Sequence, residues 1–233
     1  MSSPEVPEAV RNQLVLALDV DDLVAASRLA RELKPYFGTA KVGLELFSAA
    51  GPEAFGLLQD LGYEVFADLK LHDIPTTVNK ASRVLGALGV KYLTMHAHGD
   101  VPMLRAGVEG LAEGAAGADL DEPVAVAVTV LTSDRDAPPH IVPKRVRVAM
   151  EAGCGGLVCG GTDLADVRSL APRMITVVPG IRPAGSAVDD QARVATPRQA
   201  VDGGADLLVI GRAVTQADEP AAAAAAIVEE LQA

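Results

Sequence analysis

The chain has 233 residues, 49 % of them hydrophobic and 22 % charged, which is enough apolar material for one large core and too much for wholesale disorder. A formal net charge of −11, aromatics at only 3 % and no Trp exclude a general polyanion binder or a stacking platform for single-stranded nucleic acid. Two cysteines, Cys154 and Cys159, give neither a disulfide framework nor a paired zinc pattern and suit a reducing cytosol as small core residues.

The first twelve residues read as an N-terminal extension; MSSPEVPEAVRNQ has no apolar stretch of the kind a secretory signal carries. From there short apolar runs alternate with segments of helical period. The predicted strands are QLVLALD (13–19), AKVGLEL (40–46), EVFADLK (64–70), YLTMHA (92–97), PVAVAVTV (123–130), GLVCGG (156–161), MITVVPG (174–180) and LLVIGR (207–212). The helix-like segments between them include DDLVAASRLARELK, PEAFGLLQDLG, TTVNKASRVLGALG, VPMLRAGVEGLAEG and IVPKRVRVAMEAG. Several close on glycine, at Gly62, Gly89, Gly153 and Gly204, as expected just past a helix end. Val-, Leu- and Ile-rich strands without clean alternation suit a parallel sheet covered by helices. Eight such units in one chain predict an α/β fold, a single-domain (β/α)8 TIM barrel spanning 1–233. A doubly wound sheet is the competing architecture, but the early Gly-x-Gly-x-x-Gly turn of a dinucleotide fold is missing. The longest small-apolar run, AAAAAAIV (221–228), is too short to span a bilayer, so no membrane partner is expected and the reading is a cytoplasmic protein.

In such a barrel chemistry sits where strands end, and polar residues gather at those ends: Asp19, Lys41 and Glu45, Asp68 and Lys70, His96 and His98, Thr129 and Thr132, Arg182 and Arg212. Residues two apart on a strand share a face, which aims Asp68 and Lys70 into the barrel mouth together. Asp73 follows three residues later. A structural ion-pair network is the simpler reading, but several ionised groups at a barrel mouth cost several kcal/mol each in desolvation, and apolar side chains would serve stability better. A fixed ammonium beside a reacting carbon stabilises developing negative charge and can deliver a proton. A carboxylate set next to a substrate carboxylate favours loss of CO2, so the pattern fits a decarboxylase passing through a carbanion.

The last two strands close on VVPGIRP (177–183) and VIGRAVT (209–215), at the two staves where barrels hold phosphate on backbone N–H groups. Arg182 and Arg212 add charge-assisted hydrogen bonds there. The polar segment between them, 182–197, reads as a lid over the phosphate, with an ordinary exposed loop as the alternative. His96-Ala97-His98 has same-face spacing for a metal, but His72 and His140 do not extend that pattern, so no metal site is expected. Lys144-Arg145-Val146-Arg147 reads as a solvated helix face, and no nucleic-acid partner is expected.

Taken together, LALD, KVGLELF, FADLKLHDIPTTV, the strand-four His, TVLTS, VPGIRP and IGRAVT make the sequence resemble the orotidine 5′-phosphate decarboxylase family over nearly its whole length. D-x-K-x-x-D alone is shared with barrels that act on keto-sugar phosphates with Mg²⁺; Ile-Pro directly after it, with LTS and PGIRP, is more specific. The resemblance implies decarboxylation of orotidine 5′-phosphate to UMP without metal or organic cofactor. Lys70 would donate the proton to C6, Asp68 would face the leaving carboxylate, and Lys41 would hold Asp68 and touch the ribose. Asp73 and Thr77 would come from the partner subunit of a homodimer. Asp19 would bind ribose hydroxyls, Thr132 or Ser133 would read the pyrimidine edge, and Arg182, Gln191, Gly211 and Arg212 would hold the phosphate. His98 and Asp100 depart from the family's usual small residues after the strand-four His. A binding protein that retains the fold without catalysis is the remaining alternative, and the intact Asp68, Lys70 and Asp73 argue against it.

Overall fold

The computed structural model describes residues 6–134, 137–183 and 195–233. Its centre is a closed barrel of eight parallel strands in sequential order: β1 (Leu14–Leu18), β2 (Thr39–Val42), β3 (Glu64–Leu71), β4 (Tyr92–His96), β5 (Val124–Val128), β6 (Gly156–Val158), β7 (Ile175–Val178) and β8 (Leu207–Ile210), which pairs back with β1. Around it lie α1 (Glu8–Gln13), α2 (Leu23–Leu33), α3 (Leu44–Ala50), α4 (Glu53–Asp60), α5 (Pro75–Ala87), α6 (Asp100–Gly117), α7 (Ile141–Ala152), α8 (Leu164–Leu170), α9 (Pro197–Asp202), α10 (Arg212–Thr215) and α11 (Pro220–Gln232). Among the described residues no helix is long and apolar enough to cross a membrane.

Parallel pairing requires each strand to be followed by a crossover, and the helices that supply it are amphipathic. In α2, for example, Ala26, Leu29, Ala30 and Leu33 recur at helical spacing and are buried against the sheet, while Asp22 caps the helix by accepting from the Val24 and Ala25 amides. Alternation along each strand then divides the core in two. One set of side chains (Leu14, Leu16 and Leu18 on β1; Val65 and Ala67 on β3) packs outward against the helices. The other set (Val15, Ala17, Phe66, Tyr92, Val126, Val177, Leu207 and Val209) fills the barrel interior.

The interior set is the one that matters for function, because continuing each column upward by two residues leads out of the apolar plug. Val15 and Ala17 lead to Asp19, Phe66 to Asp68 and Lys70, Tyr92 to Thr94 and His96, and Val209 to Gly211.

The strands are shorter than the sequence pattern predicts. The run AKVGLEL does not continue as strand to residue 46: β2 stops at Val42, Gly43 caps α3, and Glu45 lies in that helix's first turn. Leu44, Leu46 and Phe47 fit a helical period as well as a strand, so this boundary could not be read from apolarity. Likewise β5 ends at Val128 and β6 at Val158, leaving Thr129–Val130 and Cys159–Gly160 to the loops at the barrel mouth. Within the proposed extension, α1 lies against the barrel, and the Arg11 carbonyl accepts the Gly38 amide at 2.9 Å.

Candidate active site

The mouth at the C-terminal ends of the strands opens into a cavity of roughly 630 Å³. Asp19, Lys41, Asp68, Lys70, Thr132, Arg182, Gly211 and Arg212, all named from the sequence, line it together. Gln216, Pro179 and Leu131 line it too.

One wall is a chain of charges. Lys41 is 7 % exposed, and its ammonium sits 3.0 Å from Asp19 Oδ1 and 3.4 Å from Asp68 Oδ2. Asp68 Oδ1 in turn lies 2.8 Å from the Lys70 ammonium. Burial alone would push Lys41 down and Asp68 up. The opposite charges outweigh it: Asp68 and Asp19 hold the Lys41 ammonium above the ordinary lysine range, and Lys41 and Lys70 hold the Asp68 carboxyl below the ordinary carboxylate range. Both groups are therefore ionised at neutral pH, in a cup whose floor is Phe66 and Val209.

Lys70 reaches this position through an unusual backbone. Its φ of +50° lies in the left-handed region, disfavoured for a residue with a Cβ. The β3–β4 register is interrupted at the same place, between Ala67 and Leu71. Strain of this sort gathers at functional sites. Thr94, fully buried on β4, braces the distortion: its Oγ1 is 2.9 Å from the Lys70 amide and 3.0 Å from Asp68 Oδ1. No feature of YLTMHA singles Thr94 out, since a β-branched residue in mid-strand is ordinary.

The ends of β7 and β8 continue the lining, with Gly180, Arg182, Gly211 and Arg212. Gly211 precedes α10 and packs against Ala17, with the Asp19 carboxylate beyond. This stretch carries two arginines where the Asp19–Lys41–Asp68–Lys70 stretch alternates in sign, so the cavity suits an elongated anion with a phosphate-sized group at one end.

Thr132 lines the cavity, whereas Ser133 is exposed and does not. Asp73 and Thr77 are exposed and off the cavity wall; the Asp73 carboxylate accepts the Ile74 amide at 2.6 Å. Gln191 and most of the proposed lid lie outside the described residues.

The histidines form a ring cluster beside the site, His72 lying 5.9 Å from His96 and 5.4 Å from His98 between ring centres. Burial, reinforced by His72, Lys70, Arg145 and His98, keeps His96 below the ordinary imidazole range. Among the described residues no group of three or more His, Cys, Asp or Glu is arranged to hold a metal. Both cysteines are free and buried, and burial pushes their thiols up to about 12, far from a reactive thiolate. Arg145 departs from the expected solvated face: its guanidinium donates to the Thr129 carbonyl at the end of the fifth stave and approaches His98 Nδ1 at 3.5 Å.

Comparison with known proteins agrees with this geometry. The sequence profile described as Orotidine 5′-phosphate decarboxylase / HUMPS family matches residues 12–227. The orotidine 5′-phosphate decarboxylase of Moorella thermoacetica is 44 % identical over 234 residues, covering 95 % of this chain and 93 % of its own. That of Anaeromyxobacter sp. (strain K) is 46 % identical over 226 residues, covering 92 % and 96 %. Among solved structures, orotidine 5′-phosphate decarboxylase from Lactobacillus acidophilus superposes with a TM-score of 0.79 at 31 % identity, over 94 % of this chain and 99 % of that one. The chain belongs to the orotidine 5′-phosphate decarboxylase / HUMPS family.

Proposed function

We propose that this protein decarboxylates orotidine 5′-phosphate to UMP and CO2, without a metal or organic cofactor, as a step of pyrimidine nucleotide synthesis in the cytoplasm. The observation that carries the reading is the line Lys41–Asp68–Lys70 in a cavity that Arg182 and Arg212 also line. A nucleotide whose phosphate meets Gly211, Arg182 and Arg212, with Gln191, which lies outside the described residues, as a further phosphate ligand, presents its base to that line. In this reading Asp19 and Lys41 meet ribose hydroxyls and Thr132 meets the pyrimidine edge; all three line the cavity, as Ser133 does not.

With the base so placed, its carboxylate is set against Asp68, an anion that stays an anion because Lys41 and Lys70 hold it. Heterolysis of the C6–carboxylate bond releases neutral CO2 and leaves the electron pair on C6. The Lys70 ammonium stabilises that carbanion and then transfers a proton to it. Binding energy from the remote phosphate offsets the cost of crowding two carboxylates.

The working unit in this reading is a homodimer. Asp73 and Thr77 are exposed and off the wall of their own cavity, on either side of Ile74, which is 66 % exposed in the single chain. A partner surface over Ile74 would bury it and bring Asp73 and Thr77 to the neighbouring cavity.

The test is the ultraviolet absorbance of orotidine 5′-phosphate mixed with purified protein in EDTA, beside Lys70→Ala. Loss of the substrate signal with wild type and none with the variant is expected. Folded wild-type protein that leaves the signal unchanged in EDTA, yet turns over a keto-sugar phosphate once Mg²⁺ is restored, would refute the assignment.

A further inference from the structure

The bulge under Lys70 needs a partner that the sheet cannot give it. Across the β3–β4 ladder Ala67 is level with Leu93 and Leu71 with Met95, so Asp68, Leu69 and Lys70 together face Thr94 alone. One residue's backbone cannot serve three, and an amide left over at a buried position is costly. The Lys70 amide instead finds the Thr94 hydroxyl, at 2.9 Å. A hydroxyl has one proton and two lone pairs, and here both kinds of capacity are in use. A lone pair takes the Lys70 N–H while the proton goes to Asp68 Oδ1, 3.0 Å away, the same oxygen that accepts the Lys70 ammonium at 2.8 Å.

The geometry points to Thr94 as a positioning residue for the reaction, its hydroxyl holding both the left-handed backbone of Lys70 and the carboxylate of Asp68 so that ammonium and carboxylate meet the reacting carbon in one fixed arrangement. Thr94 does not line the cavity; it acts through Asp68 and Lys70, which do. Its kinetic consequence rests on the decarboxylase reading. The phosphate wall, on β7 and β8, is untouched by it. Ground-state affinity is therefore retained while the chemical step loses alignment.

Thr94→Val keeps the shape and removes the hydroxyl, and Thr94→Ser keeps the hydroxyl and removes a methyl. With orotidine 5′-phosphate, Thr94→Val should lower kcat at least about tenfold, the weight of one hydrogen bond to a charged group, with KM within about threefold of wild type. Thr94→Ser should recover kcat to within about threefold of wild type. A Val variant with unaltered kcat, or a Ser variant as impaired as Val, overturns the proposal. Thr94→Ala, carried in parallel with thermal unfolding of each variant, supplies the same comparison if Val does not fold. A crystal structure of the hydroxyl-free variant decides the matter independently of turnover. Lys70 should leave its positive φ or its ammonium should separate from Asp68, whereas an unchanged φ and an unchanged contact overturn the proposal. Failure of wild type to turn over orotidine 5′-phosphate would count against the proposed function, and the crystallographic comparison would still test Thr94.

Discussion

If the charges of the mouth are kept for chemistry, removing them together should cost the fold little, while removing one should cost it a good deal. Lys41→Met takes away the buried ammonium 3.4 Å from Asp68 Oδ2. With water on one side, an effective dielectric of about 40 gives an attraction of roughly 2.4 kcal/mol at that distance. Asp68 would keep Lys70 and Thr94, so the loss falls below the ~3–5 kcal/mol usual for breaking a buried pair, at about 2 kcal/mol. For a chain of this size that is a fall of about 4–8 °C in Tm. Asp68→Asn should cost a similar amount by stranding Lys41 with Asp19 alone. The double variant removes both desolvation costs at once and should return to within about 1 kcal/mol of wild type, with a coupling energy of at least about 3 kcal/mol. Urea unfolding of the four proteins at pH 7 and low salt, followed by circular dichroism, measures the cycle. Additive losses would refute the reasoning and show a network that stabilises the barrel in its own right.

Two further outcomes follow from the same wall. Lys70→Gly and Lys70→Ala both delete the ammonium, but at φ +50° only alanine carries a Cβ penalty, so the glycine variant should be more stable by about 1 kcal/mol in urea; equal midpoints would argue against the left-handed conformation. The stability difference between wild type and Asp68→Asn should be level from about pH 5 to 9. The folded Asp68 value lies below the ordinary 3.8, so its contribution is present above that pH and lost as pH falls through the folded value; Lys41, held above 10.5, loses its contribution only as pH rises past that point. A difference already closing between pH 7 and 5 would contradict the assignment of those directions.

How much of this was legible beforehand depended on whether a feature is local. The interior columns ending in Asp19, Asp68 and Gly211 follow from a two-residue period and could be read directly, whereas Lys70 reaches the mouth through a bulge that the period does not describe. The end of β2 could not, because Leu44, Leu46 and Phe47 satisfy either period and Gly43, with ordinary extended dihedrals, gives no strong stop. Thr94 was invisible for a different reason: its role exists only because a neighbouring strand is two residues too long at that level, and register is not written in either strand alone. Arg145 was misread because three basic residues within four positions look like solvent-facing charge, whereas its guanidinium donates to the Thr129 carbonyl just past β5. Asp73 was picked out by the local charge pattern and Thr77 only through the family resemblance; in a single chain both are exposed, and only the proposed homodimer would give them work.

The opposite end of the barrel shows what a purely structural charge cluster looks like in the same molecule. Arg168, on α8, donates to the Gly204 carbonyl at 2.7 Å, the Met174 carbonyl at 2.9 Å and Thr176 Oγ1 at 2.8 Å, and it pairs with Asp206. Asp206 also accepts the Thr176 amide at 2.8 Å. Every nitrogen of that guanidinium is engaged, and the cluster ties the starts of β7 and β8 to a helix. Lys70 differs in what it leaves unspent: among the described residues its ammonium, with three donors, meets only Asp68, and it faces the cavity. Ion pairing as such therefore does not separate structure from function in this barrel. Residual capacity does, since a saturated cation can only hold the fold together while an unsaturated one, fixed by strain and a buried hydroxyl, has donors left for a substrate. That difference lies along the axis of the barrel, with the saturated cluster at the N-terminal ends of the strands and the unsaturated one at the C-terminal ends.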